Sequence, residues 1–491
     1  MSESLHIRPD WNSPSTPFEP TWSRMANVDQ FVWMTRADML EQLAMAKADL
    51  GFEHVRACGM LDDKMKAWTQ DPRDFRIPEK ERPRHLNFQM IDMVIDRLLG
   101  LGIKPLYTTC FTPSAMASGA LEIWQHSNTT PPKDLKAWSR FVRDGIEHEM
   151  RLRGEEEVAS WYFECWNEPN LQGCFFSGNQ SEWFDLWAAT HEGVKAACPG
   201  LRLGGPSTAR GEWIEEFLSW TKQRGCEPDY LISHFYNNDS ESAPLSPFDG
   251  PASHKVKDSP HFGAGVARGT RKLLDRIGYT GELHWNEWGR SWFPADPLKE
   301  TALEAAYIVK TMAEVSQTAD IFAFWCLSDI YDQAGYSREE FQGNYGMLSL
   351  HGLRKPAYFA HMLLNRVVGE RVPVEGQAES ALDGAIASRT PEGAAVLVYR
   401  YPEVFDSEPT MGKVSVALPP GTLTAKLYRI DREHHNIPGA WKSLGSPACL
   451  TPGLHRELAE TNGLTSETID VSSGLASFTL ERPGIALVEI S

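Results

Sequence analysis

Two glutamates carry the chemistry that this chain can do. One lies in Trp166-Asn167-Glu168-Pro169-Asn170, the other in Trp285-Asn286-Glu287-Trp288. Each follows a short β-prone run, Ala159–Cys165 and Glu282–His284. A carboxyl at a strand end, wrapped in indoles and amides, is poorly hydrated and well hydrogen-bonded. Such surroundings separate two carboxyl pKa values, leaving one group as proton donor and the other as nucleophile. Aromatic faces also suit the apolar C–H faces of a sugar ring. The pair therefore reads as the acid/base and nucleophile of a glycoside-cleaving site.

Composition narrows the partners. The chain has 491 residues, 42% hydrophobic, with 17 tryptophans and a formal charge of −18. That acidity disfavours nucleic acid and anionic membranes, and suits a small neutral oligosaccharide. No basic leader with an apolar core opens the sequence, and no run is long enough to span a bilayer, so a cytoplasmic setting is expected. The eight cysteines form no CxxC pair and read as buried free thiols. His434-His435 is too close in sequence for both rings to reach one ion. No metal or cofactor is expected.

The elements that must hold the two glutamates recur as strand then helix. Expected strands lie near 21–27, 52–58, 103–109, 159–165, 201–203, 230–234, 282–286 and 321–325. Helices are expected over 37–50, 86–101, 133–152, 181–197, 211–223, 264–277 and 300–317. Eight such repeats imply an α/β chain built as a (β/α)8 TIM barrel, with reactive residues at the strands' C-terminal ends. Glu168 would follow strand four and Glu287 strand seven. Beyond residue 368, runs such as Ala394–Tyr401, Thr424–Ile430 and Ile485–Ile490 alternate with Pro/Gly turns. They predict an all-β accessory domain, a sandwich. The expected division is an N-terminal extension over 1–20 that could pack on the β-domain, a catalytic barrel over 21–367 and the accessory domain over 368–491.

With these motifs placed, the chain resembles glycoside hydrolase family 39, in its β-xylosidase branch. The likeness is carried by Asp49–Arg56 with Gly59-Met-Leu-Asp-Asp63, by Gly102-Ile-Lys-Pro105 with Phe111-Thr-Pro113, and by Trp166–Asn170. Further matches are His234-Phe-Tyr236, Trp325, His351–Tyr358 and Arg429–His434 with Asn436. The resemblance implies a retaining exo-β-1,4-xylosidase with Glu168 as acid/base and Glu287 as nucleophile. Asn167 would bind the sugar 2-OH, and His234 and Tyr236 would approach the nucleophile. Trp325 would floor the ring and Phe111 would form a side wall. Arg56 is expected either to pair with a catalytic carboxylate or to buttress the strand ends. Three departures touch recognition: Cys58 replaces a His, Tyr331-Asp332-Gln333 replaces a Phe-Glu-Glu run, and Trp288-Gly289 follows the nucleophile. Asp332 and its neighbour are thus expected at the sugar's O4 side, where the change could admit α-L-arabinosides. Other readings are an α-L-iduronidase-like or β-galactosidase-like exo-glycosidase, or a non-catalytic carbohydrate-binding protein. Uronate recognition would need convergent cations, for which Arg290 and Arg338 are candidates. The oligomeric state stays open.

Overall fold

The computed structural model describes residues 4–120, 122–123, 126–239, 260–333, 335–378, 381–403, 408–471 and 474–490. Residues 1–3 of the expected extension and Ser491 lie outside them. Eight parallel strands follow one another across a single sheet in chain order. They are β1 (Met25–Gln30), β2 (His54–Cys58), β3 (Lys104–Thr108), β4 (Tyr162–Glu164), β5 (Leu203–Ala209), β6 (Tyr230–Tyr236), β7 (Leu283–Gly289) and β8 (Ile321–Phe324). The sheet curls until β8 packs against β1. Asn27 Nδ2 donates to the Ala323 carbonyl at 3.0 Å, and the Leu327 N–H donates to the Asn27 carbonyl at 2.9 Å.

Each strand leads into a helix: α1 (Ala37–Leu50), α2 (Gln89–Gly100), α3 (Leu135–Arg153), α4 (Gln180–Ala197), α5 (Ile214–Arg224), α6 (Phe262–Ile277), α7 (Ala302–Val315) and α8 (Pro356–Asn365). Strands covered by helices on one side and by the barrel interior on the other leave little to solvent, and β2, β6 and β7 are buried at every residue, their polar Arg56, His234 and Glu287 included. Helix ends follow local chemistry. Asn179 and Glu182 form a capping box at the start of α4. Gly51, at φ 79°, ends α1 in the left-handed region that a side chain would strain.

Four strands differ from the sequence expectation. Thr21–Ser23 is a 3-10 turn, so β1 starts later. Glu155–Ala159 is a short helix with three acids at its N-terminus, which favours helix over strand there and shortens β4. β5 runs on through Gly204-Gly205-Pro206, a stretch with little strand propensity. Packing overrides propensity here. A Cβ on Gly204 would come within 2.2 Å of the Tyr230 ring, and one on Gly205 within 2.8 Å of Trp187. β7 reaches Gly289, which puts Glu287 inside the strand rather than past it. The ladder slips beside Glu287 on both edges, against β6 and against β8, so the strand is locally irregular where it presents its carboxylate.

The C-terminal region holds a seven-stranded and a three-stranded sheet. N-terminal segments complete both. Ser4–Ile7 pairs in parallel with Thr410–Ala417, and Thr16–Phe18 pairs antiparallel with Gly369–Val372. Two helices that the sequence reading did not mark, Ile437–Ser443 and Pro452–Thr461, interrupt the strands. All eight cysteines are free. Cys58, Cys110, Cys165, Cys226 and Cys326 are buried, but Cys174 and Cys198 are half-buried and Cys449 is exposed, correcting the expectation that all are buried. No helix of the described residues is long and apolar enough to cross a membrane.

Candidate active site

The loop after β4 carries Glu168 in a left-handed backbone, φ 42°, with Trp166 at φ 67°. Non-glycine residues hold such angles only when their surroundings over-determine them. Here the Glu168 N–H donates to the Ser207 carbonyl at 2.8 Å, and Trp166 Nε1 donates to the Phe175 carbonyl at 2.8 Å. Glu168 is thereby turned towards β6 and β7. His234 Nδ1 lies 2.9 Å from Glu168 Oε1 and 3.5 Å from Glu287 Oε2. One ligand-type atom of each of Glu168, His234 and Glu287 lies within 4.8 Å of the others.

The two carboxyls have different partners. Glu287 receives a donor on each oxygen, the Tyr236 hydroxyl at 2.6 Å on Oε1 and Arg56 Nη1 at 3.0 Å on Oε2. Glu168 meets only the His234 ring among the described residues. Burial pushes the Glu168 carboxyl up to about 7, against the pull of the Arg56 and Arg210 charges. Burial also raises Glu287, and the Glu168 charge adds to the rise, while His234, Arg56 and the Tyr236 hydroxyl oppose it. Burial pushes His234 down to about 4, so it is neutral near pH 7. Tyr236 is held well above its ordinary value, first by burial, and keeps its proton.

Arg56 organises the floor. It is fully buried, and its fork reaches Glu164 at 2.8 and 3.2 Å, Glu287 at 3.0 Å and Asn167 Oδ1 at 2.5 Å. Asn286 Nδ2 also donates to Glu164, at 2.9 Å. Glu164 was not singled out from the sequence. The available signal was a lone acid closing the apolar run Trp161-Tyr-Phe-Glu-Cys.

A cleft at the C-terminal mouth of the barrel is lined by Glu168, Glu287, Tyr236 and Trp325 of the expected residues, together with Gln333. Arg56, Asn167 and His234 lie directly behind that lining, bonded to the two carboxylates or to each other. Phe111 is buried deeper, packed edge-to-face on Trp166 at 5.3 Å. Asp332 turns aside, its carboxylate accepting from Gln30 Nε2 at 3.0 Å. The sequence reading missed seven lining residues: Leu171, Cys174, Phe175, Ala209, Asp239, Trp292 and Tyr345. Asp239 ends Asn237-Asn238-Asp239, which reads as an ordinary turn, so nothing in the pattern marks it.

The remaining candidates are engaged elsewhere. Arg290 is fully buried between Asp296 and Glu304, at 2.6 and 2.8 Å, and does not face the cleft. His434 bonds Asp431, and His435 bonds the Arg429 carbonyl. Among the described residues two clusters have ligand-type spacing, Glu168/His234/Glu287 and Asp92/His148/Glu149. Each has a guanidinium beside it: Arg56 is 3.0 Å from Glu287, and Arg153 pairs with Glu149 and lies 3.8 Å from Asp92.

The family model described as glycosyl hydrolases family 39 matches residues 5–470. A β-xylosidase of Caldicellulosiruptor saccharolyticus is 30% identical over 452 residues, covering 91% of this chain and 89% of its own. One of Geobacillus stearothermophilus is 28% identical over 437 residues, covering 88% and 84%. The crystal structure of a monomeric β-xylosidase from Caulobacter crescentus superposes with a TM-score of 0.85 at 25% identity, covering 99% of both chains.

Proposed function

Because the chain belongs to glycosyl hydrolases family 39, we propose that this glycoside hydrolase is a retaining exo-β-1,4-xylosidase that releases xylose from the non-reducing ends of xylo-oligosaccharides. The observation that carries the reading is the unequal clothing of two adjacent carboxyls. Glu287 has a donor on each oxygen, whereas Glu168 faces a neutral imidazole. Their closeness supports double displacement, for which carboxyls about 5 to 5.5 Å apart are needed. The two relatives that match most of this chain and most of their own length are named β-xylosidases, which supports the substrate.

In the first step Glu287 attacks the anomeric carbon as Glu168 gives its proton to the glycosidic oxygen. The C–O bond to the leaving group breaks and a glycosyl ester forms. Glu287 then carries no charge, which lowers the cost of ionising Glu168. In the second step Glu168 takes a proton from water, the water oxygen bonds to the anomeric carbon, and Glu287 is released. Arg56 and the Tyr236 hydroxyl hold Glu287 in one orientation throughout, and Arg56 also fixes the Asn167 amide that we assign to the sugar 2-OH. Trp325 would lie under the ring, with Phe111 supporting the wall from behind through Trp166.

Since Asp332 is taken up by Gln30, the O4 side is left to Gln333, an amide in place of a carboxylate. That supports side activity on α-L-arabinopyranosides, whose hydroxyls match xylose apart from O4. The uronate alternative loses Arg290 to its buried ion pairs. We take residues 21–367 as the catalytic unit, with 368–491 as accessory domain and 1–20 laid along it. Eight free thiols support a reducing, cytoplasmic setting. The test is kcat/KM on an aryl β-xyloside, α-L-arabinoside, β-galactoside and α-L-iduronide. The β-xyloside should lead the galactoside and iduronide by at least about tenfold. Preference for either of those two would overturn the xylosidase assignment.

A further inference from the structure

We infer that Asp239 recognises a hydroxyl of the departing sugar, so that the site favours oligosaccharides over leaving groups that lack hydroxyls. This rests on the xylosidase reading, in which Glu168 protonates the leaving group, so the departing sugar must sit on the Glu168 side of the cleft. That side is built from the loops after β4 and β6 and the end of β5, which supply Leu171, Cys174, Phe175, Ala209 and Asp239. The opposite side is built from Trp325, Gln333 and Tyr345, after β8.

Asp239 is buried, and its carboxyl is fixed by one bond. Oδ2 accepts the Tyr236 N–H across 3.0 Å, and no hydrogen bond holds Oδ1 among the described residues. The Tyr236 side chain is the donor to Glu287, so one residue registers Asp239 against the reacting centre. Arg210 follows Ala209, with its N–H on the His234 carbonyl at 2.7 Å and its guanidinium paired to Glu212 at 2.6 Å. Its Nε is buried without a partner among the described residues. The Arg210 charge pulls both the Glu168 and the Asp239 carboxyls down, against the burial that raises them. Burial pushes Asp239 up to about 8, and the Glu168 and Glu287 charges add to the rise. Near pH 7 it is a neutral acid, with an O–H to donate and an oxygen to accept, which is the complement of a sugar hydroxyl.

The test compares kcat/KM for xylobiose with that for an aryl β-xyloside at pH 7, in the wild type, Asp239→Ala and Asp239→Asn. The alanine variant should lose about tenfold more on xylobiose than on the aryl substrate, and Asn, which keeps a donor and an acceptor without charge, should stay within about threefold of the wild-type ratio. Equal losses on both substrates in the alanine variant would overturn the inference and make Asp239 a prop for Tyr236. So would an asparagine variant as impaired as alanine. A wild type inactive on both xylosides would remove the xylosidase reading and this inference with it. An active wild type with an unchanged ratio would remove only the inference.

Discussion

The Tyr236 hydroxyl donates to Oε1 of Glu287 across 2.6 Å, and the same carboxylate takes Arg56 on its other oxygen. A carboxylate clamped at both oxygens has one orientation, and both donors favour its ionised form against the rise that burial imposes, as a nucleophile needs. Glu168 has a single side-chain hydrogen-bond partner among the described residues. It faces an imidazole that burial keeps neutral, as suits a group that must hold a proton.

Replacing Tyr236 by Phe tests the clamp. Losing a hydrogen bond to a buried carboxylate should lower kcat/KM about tenfold. The hydroxyl favours the ionised form, so its loss moves the Glu287 pKa further up. Glu287 must be ionised to attack, so the acid limb of the kcat/KM profile should shift to higher pH. A pH–rate profile of the variant reads both effects. An acid limb in the wild-type position would separate Tyr236 from Glu287's ionisation.

Glu168→Ala should lose activity according to the leaving group. A xylobiose alcohol departs badly without a proton, and a dinitrophenolate departs well. The variant should lose nearly all xylobiose cleavage while a first turnover survives on the dinitrophenyl xyloside, giving a burst followed by slow release. The alkaline limb of the wild-type profile, expected near the Glu168 value of about 7, should vanish. Stopped-flow and pH profiles read these outcomes. Equal losses on both substrates would make Glu168 structural.

Glu168 should also cost stability. Its folded pKa, about 7, lies above the ordinary value of 4.5. The folded state therefore binds more protons between those values, and stability falls as pH rises from 4.5 to about 7, then levels. Glu168→Gln removes the ionisation, so the variant should be more stable than wild type at pH 8, by as much as about 3 kcal/mol, with the gap closing near pH 4. Chemical denaturation at the two pH values measures it.

Much of this arrangement was legible in the sequence, for a physical reason. The meeting of Glu168 and Glu287 in one cleft follows from counting strands, because a closed parallel barrel brings every strand's C-terminal end to the same mouth. Elements whose identity lies in packing were harder to read. β5 contains Gly204-Gly205-Pro206 because the Tyr230 and Trp187 rings occupy the space of its missing side chains, a fact that no local propensity encodes. Glu287 inside β7 depends on a slipped ladder, and Asp239 on where a turn of ordinary composition folds back. Arg56 stood out beside its strand motif. Its tie to Glu164 required the distance between two strands that only the closed sheet sets.

The central claim is that Glu287 forms a covalent bond to xylose. Incubation with an activated 2-deoxy-2-fluoro-β-xyloside slows both steps but the second more, so the glycosyl-enzyme should accumulate. Intact mass spectrometry should show one added fluoroxylosyl unit, with loss of activity, and peptide mapping should place it on the peptide containing Glu287. A label on Glu168, or an active enzyme that never takes up the label, would contradict the account.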